Sequence, residues 1–128
     1  NSSMANGLFL LGTLYDDERY LALSERAALS GTTQLAIYPT GHSHWAQGLL
    51  MRVFPLNEIA ITGPDARTFR GNFAAHYLPN RLFLGCTNAS SLPLLKDKTL
   101  PASTIFVCVE KACQLPVHTV DAAVKLIR

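Results

Sequence analysis

Charged side chains are scarce in this chain. They make up 16% of its 128 residues, against roughly a quarter in an ordinary soluble domain. Eleven basic and nine acidic residues are spread along the chain and leave a net charge of +2. No basic stripe is present to neutralise a phosphate backbone, so nucleic acid is not an expected partner. Long apolar runs are also missing. The segment 8–11 is stopped by Gly12 and then by charge, far short of the roughly 20 residues a membrane span needs, and no membrane partner is expected. Cysteine is sparse as well. Three is an odd count with no secreted-type framework, which points to a reducing, cytoplasmic setting. The sequence has no Cys-x-x-Cys, no Gly-x-Gly-x-x-Gly and no Gly-x4-Gly-Lys-Ser/Thr, so the common redox and nucleotide signatures are absent and no cofactor is expected. It opens on Asn1-Ser2-Ser3 with neither an initiator Met nor a signal-peptide pattern, as expected of a piece of a longer protein.

Material for a core is plentiful. Hydrophobic residues make up 48% of the chain, and its length suits one domain, or one small domain with a helical appendage. Low charge together with high apolar content implies that some apolar surface faces a neighbour rather than water.

Residues 3–29 read as a helical hairpin. Met4, Leu8, Leu11 and Tyr15 recur at helical spacing, Asp16-Asp17 interrupts, and Tyr20, Leu23 and Ala27 resume the stripe. Ser2 or Ser3 is placed to cap the first helix, and Asp16 or Asp17 the second. Phe9 and Leu10 widen the first stripe, which suits a helix buried on more than one side. Gly31-Thr32-Thr33 closes the hairpin, and Ser43 is expected to cap a third helix carrying Trp45, Ala46, Leu49, Leu50 and Val53 up to Pro55. Then the character changes. Glu58 to Thr62 reads as a strand, Gly63-Pro64-Asp65 as a turn and helix cap, Phe69, Phe73 and Tyr77 as the buried side of a helix, and Arg81 to Cys86 as a second strand. That β-α-β spacing predicts parallel strands with a right-handed crossover. Thr104 to Val109 supplies a third strand, and Thr119 caps a last helix bearing Val120, Ala123, Val124 and Ile127. The expected architecture is α+β or α/β: helices over 1–54, then a small β-α-β-β-α domain over 55–128 with a mostly parallel sheet. Its expected core is Leu8, Leu11, Trp45, Leu49, Ile59, Ile61, Phe73, Leu82, Leu84, Ile105, Val107 and Val124.

Near the C-terminus, Phe106-Val107-Cys108-Val109 leads through Glu110-Lys111-Ala112 into Cys113-Gln114-Leu115-Pro116-Val117. This stretch resembles the C-terminal signature of the YyaL / spermatogenesis-associated thioredoxin-domain family, a Tyr-Val-Cys strand followed by a polar turn and Cys-Gln-x-Pro-Val. Asn1-Ser2-Ser3 with Asp16-Asp17-x-x-Tyr20, the strand Glu58 to Gly63, and Tyr77-Leu78-Pro79-Asn80 are similar to further family segments in the same order. Leu115 departs where relatives often carry a second proline, and Lys111-Ala112 shortens the turn. The resemblance implies that 1–54 are the last helices of an α/α barrel related to sugar epimerases and six-hairpin glycosidases, and that 55–128 are the α/β tail. The partners it implies are the rest of the same polypeptide, namely the barrel and an upstream thioredoxin-like domain. Self-association through the first helix is expected when the piece is isolated. Carbohydrate metabolism is implied through the barrel, and the helical hairpin would then help line a sugar pocket.

The candidate sites are few, and no catalytic residue is assigned. Cys108 and Cys113 match the family cysteines. They read first as packed structural thiols, Cys108 sharing a strand face with Phe106. The alternative is an exchangeable redox pair, provided their Cα atoms lie within about 7 Å. Lys111 would favour a thiolate nearby. A third reading is a zinc site from Cys86, Cys108, Cys113 and His118, although the knuckle spacing is poor. His42-x-His44 reads as a helix start rather than a ligand pair. Asp65 would put a carboxylate where a phosphate should sit, and Asp16, Asp17 and Glu18 read as capping groups. The function expected is therefore a structural, accessory C-terminal region that is not an enzyme by itself, with a thiol redox or regulatory role of Cys108 and Cys113 as the alternative.

Overall fold

The computed structural model describes residues 1–98 and 100–127. The chain is mixed α+β and divides into two compact units, Asn1–Phe54 and Pro55–Arg128.

The first unit is helical: α1 (Ser2–Tyr15), α2 (Glu18–Ser30), α3 (Thr32–Ile37) and α4 (Ser43–Val53). Asp16 turns the chain in the left-handed conformation (φ 56°), and Asp17 caps α2 by accepting from Arg19 N at 2.9 Å. The Arg19 side chain bonds the same carboxylate and holds its pKa at about 2. The first cap differs from expectation. Asn1 occupies the cap position of α1, while the Ser2 and Ser3 hydroxyls lie 3.1 and 3.4 Å from His44 Nδ1. Ser43 likewise opens α4 rather than capping it. The short helix α3 lies where the sequence reading placed only the end of the hairpin.

The buried face of this unit also differs from the apolar stripe. Ala5, Asn6, Gly12, Ser24, Ala28 and Gly48 are buried, whereas Met4, Leu11 and Tyr15 are exposed. Small side chains let the helix backbones approach closely, and the gap between them is filled by one long side chain. Arg52 donates to Gly48 O (2.5 Å), Ala5 O (3.2 Å) and Ser24 Oγ, and its guanidinium lies 4.7 Å from the Phe9 ring centre. Ser24 in turn donates to Ala5 O at 2.5 Å. Gly48 admits the Asn6 amide, which a Cβ would strike.

The second unit is built around β1 (Asn57–Thr62), every residue of which is buried. The sheet order is β2-β1-β3-β4, with β2 (Arg81–Cys86), β3 (Thr104–Val109) and β4 (Ala112–Cys113). β1 and β2 are parallel, joined through α5 (Ala66–Asn72) and a 3₁₀ turn. β3 runs antiparallel to β1, and β4 antiparallel to β3. The expectation of a mostly parallel sheet is thereby corrected. Among the described residues of 87–103 no helix carries the chain back across the sheet, and β3 starts at the end where β2 finishes, with Thr62 paired to both Cys86 and Thr104.

Side chains alternate from there. Ile59, Ile61, Ile105 and Val107 join Phe73, Leu78, Val120 and Ala123 in the core under α5 and α6 (Val120–Val124). Phe83 packs on Phe73 with ring centres 5.1 Å apart. On the opposite face, Glu58, Ala60 and Thr62 are covered by the 87–103 connection, whose Leu94 and Leu95 are buried and whose Lys98 carbonyl accepts from Thr62 Oγ1. Tyr77, expected inside, is 92% exposed because the helix ends in a 3₁₀ turn at Ala75. Thr119 caps α6 as expected, accepting from Ala122 N.

Gly63, at φ 105°, turns the chain out of β1 with Ser103 against it; a Cβ there would meet Ser103 Cα at 2.6 Å. Gly63→Ala should therefore destabilise the chain by about 2 kcal/mol, read from the shift of a chemical denaturation midpoint.

Candidate functional site

The sharpest constellation lies at the hairpin between β3 and β4. Val109 pairs with Ala112 across a two-residue turn, Glu110-Lys111, in which both residues have positive φ (48° and 66°). This is the type I′ geometry that suits the twist of paired strands and is usually filled by Asn and Gly. Here two charged residues hold it. Gln114 N donates to Val107 O at 2.9 Å, so the Cys108–Cys113 pair between these rungs lacks mutual backbone bonds, the arrangement that brings facing side chains closest. The two cysteines are joined in a disulfide, with their Cα atoms 3.9 Å apart. Beyond it, Gln114 faces Val107 and Val117 faces Ile105, leaving Leu115-Pro116 as a bulge opposite Phe106. Proline has no N–H to give the ladder.

Exposure is uneven across the bond. Cys108 is 1% exposed, whereas Cys113 lies at the surface. The ring closed by the bond is short, with a sequence separation of 5. Chain entropy gives so small a loop only about 2 kcal/mol of stabilisation. The bond pins a hairpin tip, and neither cysteine belongs to the core cluster of Ile59, Ile61, Ile105 and Val107.

Glu58 lies beside this bond, and the sequence reading missed its role. It pairs in register with Cys108, which pairs with Cys113, so the three side chains form one row across β1, β3 and β4 on one sheet face. Its Oε2 accepts from Lys111 N at 3.2 Å, so the side chain reaches the turn that joins β3 and β4. Burial pushes its pKa up, against the Lys111 amide and the positive charges of Lys111 and Lys98; the charge of Glu110 adds to the rise. Lys98 donates to Leu94 O at 2.6 Å, and its ammonium lies 5.7 Å from the Phe106 ring centre on this face. Its pKa is lowered by burial, with Glu58 opposing.

The four candidate zinc ligands are not brought together. Cys108 and Cys113 are bonded to each other. Cys86 ends β2 opposite Thr62, at the far end of the sheet, and the His118 ring nitrogen lies 3.1 Å from Ser103 O, near the start of β3. Among the described residues no group of three His, Cys, Asp or Glu is placed to hold a metal. Cys86 is the free thiol. Burial raises its pKa, which lowers its thiolate fraction. It borders a cavity of about 580 Å³ shared with Arg67 and Arg70. His42 and His44 are engaged separately, with Tyr38 O and with Ser2 and Ser3. At Gly63-Pro64-Asp65, the Asp65 amide is taken by Ser103 Oγ, which donates to the Asp65 carboxylate at 2.8 Å. A phosphate would find that amide occupied.

No protein-family model, curated protein or solved structure matches the chain. No helix of the described residues is long and apolar enough to cross a membrane.

Two stability measurements probe this geometry. Lys111→Gly keeps the amide that serves Glu58 and relieves a left-handed residue, so it should stabilise the hairpin by about 1 kcal/mol in thermal denaturation. Glu58→Gln should raise Tm at neutral pH. The folded carboxyl has a raised pKa, so the wild type keeps its full stability below the ordinary glutamate range and loses some of it as pH rises through the folded value. The advantage of the variant should therefore shrink as the pH is lowered towards 4; an advantage that grows on acidification would contradict the assignment.

Proposed function

We propose that the chain is an accessory C-terminal region of a YyaL-like protein, and that its Cys108–Cys113 disulfide is a redox-exchangeable element served by a protein dithiol. The observation that carries this reading is the bond itself, with Cys113 at the surface and Cys108 buried. An incoming thiolate meets the Cys113 sulfur, and Cys108 is the leaving group. Three features favour exchange over a structural staple: the short ring, the position at a hairpin tip, and the odd third cysteine, which belongs to no disulfide framework. In a reducing compartment, which we propose is the cytoplasm, disulfides are mostly transient and redox-sensing. The thioredoxin-like domain that the resemblance implies upstream is the proposed source of the dithiol.

A second, compatible reading concerns 1–54. Met4, Ile37 and Val53 are 69%, 71% and 74% exposed, with Leu29, Leu50 and Phe54 exposed beside them. Such a surface supports a helical segment that packs against the remainder of an α/α barrel, and through it a link to carbohydrate chemistry.

Mass spectrometry of the chain purified without reductant and treated with an alkylating reagent tests the redox reading. The expected result is loss of two hydrogens with label confined to Cys86, and full labelling after a dithiol is added under native conditions. Three free thiols, or a bond that resists a dithiol until the chain is denatured, would leave only the structural reading.

A further inference from the structure

We propose that Glu58 is the proton-transfer group of the Cys108–Cys113 couple, giving a proton to the Cys108 sulfur on reduction and taking it back on oxidation. The inference rests on the redox reading above and adds the residue that governs it.

Register carries the argument. Glu58 faces Cys108 directly across β1 and β3, and Cys108 faces Cys113 across β3 and β4. Directly opposed residues of paired strands hold their side chains on one face, with Cβ atoms about 5 Å apart. The Glu58 side chain leans from this row towards the turn, where its Oε2 accepts from the Lys111 amide at 3.2 Å. Cys108 is 1% exposed and Glu58 4%. A thiolate released at Cys108 is therefore cut off from bulk water, and a negative sulfur beside a buried carboxylate would be expensive. One proton shared between the two groups removes that cost.

The charged groups around Glu58 are Lys98 from the connection over the sheet and Glu110 and Lys111 in the turn. Burial pushes the carboxyl above its ordinary range, so that it holds a proton more readily, and the two lysines temper the effect.

The reaction balances as follows. One thiol of the partner dithiol loses its proton to solvent, and its thiolate attacks Cys113 Sγ. A bond forms between the two sulfurs, the Cys113–Cys108 bond breaks, and its electron pair leaves on Cys108 Sγ. The Glu58 carboxyl proton passes to that sulfur. The partner's second thiol, losing its own proton to solvent, then attacks its first sulfur and closes the partner's disulfide. Cys113 leaves as a thiolate and takes a proton from water, and Glu58 is reprotonated from solvent. The partner dithiol is oxidised by two electrons and the Cys108–Cys113 disulfide is reduced to two thiols.

Reduction of the full chain by dithiothreitol, followed from pH 5 to 9 by quenching with an alkylating reagent, tests the assignment. Rates are divided by the thiolate fraction of dithiothreitol. The corrected wild-type rate should fall as pH rises through the Glu58 titration. Glu58→Gln should lack that limb and be slower at the acid end by about tenfold or more. Superimposable corrected profiles would overturn the proposal while leaving the redox reading intact. A bond that dithiothreitol does not reduce in the folded wild type would overturn both. Should Glu58→Gln fail to fold, the carboxyl carbon shift of Glu58 in the wild type gives the answer: its titration midpoint should differ between the oxidised and reduced chains, and an identical midpoint in both would overturn the proposal.

Discussion

The α+β unit depends on complete burial of β1. A strand with neighbours on both edges and cover on both faces is normally apolar throughout, yet Asn57, Glu58 and Thr62 are three of its six residues. Each polar side chain then requires a partner from an element that would otherwise be a loose connection. Thr62 is met by the Lys98 carbonyl, and Glu58 by the amide of Lys111. The segment 87–103 and the hairpin tip are thus tied to the strand they cover by its own polar groups. Their geometry at these points is set by the cost of leaving a buried donor or acceptor unpaired.

The same constraint couples the tip to the core. Lys111 is held in a left-handed conformation, and its amide is the one that Glu58 engages. Glu110 and Lys111 form a turn for which Asn and Gly are the usual choice. The disulfide beside them closes too small a ring to restrict the unfolded chain strongly. Two modest anchors, one covalent and one a hydrogen bond, therefore meet at a turn with weak intrinsic preference. Release of the covalent anchor acts on the hairpin first, because β1, β2 and β3 keep their ladder and their core of Ile59, Ile61, Ile105 and Val107.

Much of this unit was legible in the sequence where apolar runs are bounded by turn residues. β2 lies where the chain leaves Leu78-Pro79-Asn80, β3 at the apolar run 104–109, and Thr119 caps the last helix. Strand direction was not legible. A β-α-β spacing fixes only its own pair, and nothing in 87–103 states that the chain turns back without a helix. β4 escaped because two residues carry no period and its turn lacks Gly or Asn. In the helical unit, the stripe of Met4, Leu11 and Tyr15 misled because small and polar residues, with Arg52 threaded between them, form the buried face. Glu58 was hidden for a related reason. It alternates out of phase with Ile59 and Ile61, so it falls outside the apolar face that the strand marks. The contrary signal was Leu92-Pro93-Leu94-Leu95, an apolar run inside a connection, of which Leu94 and Leu95 are buried.

Burial of Glu58 works against the fold and in favour of the proposed exchange chemistry, and both effects share one cause. Desolvation penalises the carboxylate, which weakens the folded state at neutral pH relative to a neutral isostere. It also raises the carboxyl's hold on a proton, across the ladder from a cysteine that water does not reach. For the hairpin the arrangement yields one hydrogen bond to the Lys111 amide, and the desolvation penalty on the carboxylate is set against it. The titratable group stands at the register position that faces the buried half of the disulfide, where the proposed exchange would change the protonation state of that sulfur. A bond that forms once and stays closed never calls on the proton. One that opens does so each time Cys108 becomes the leaving group.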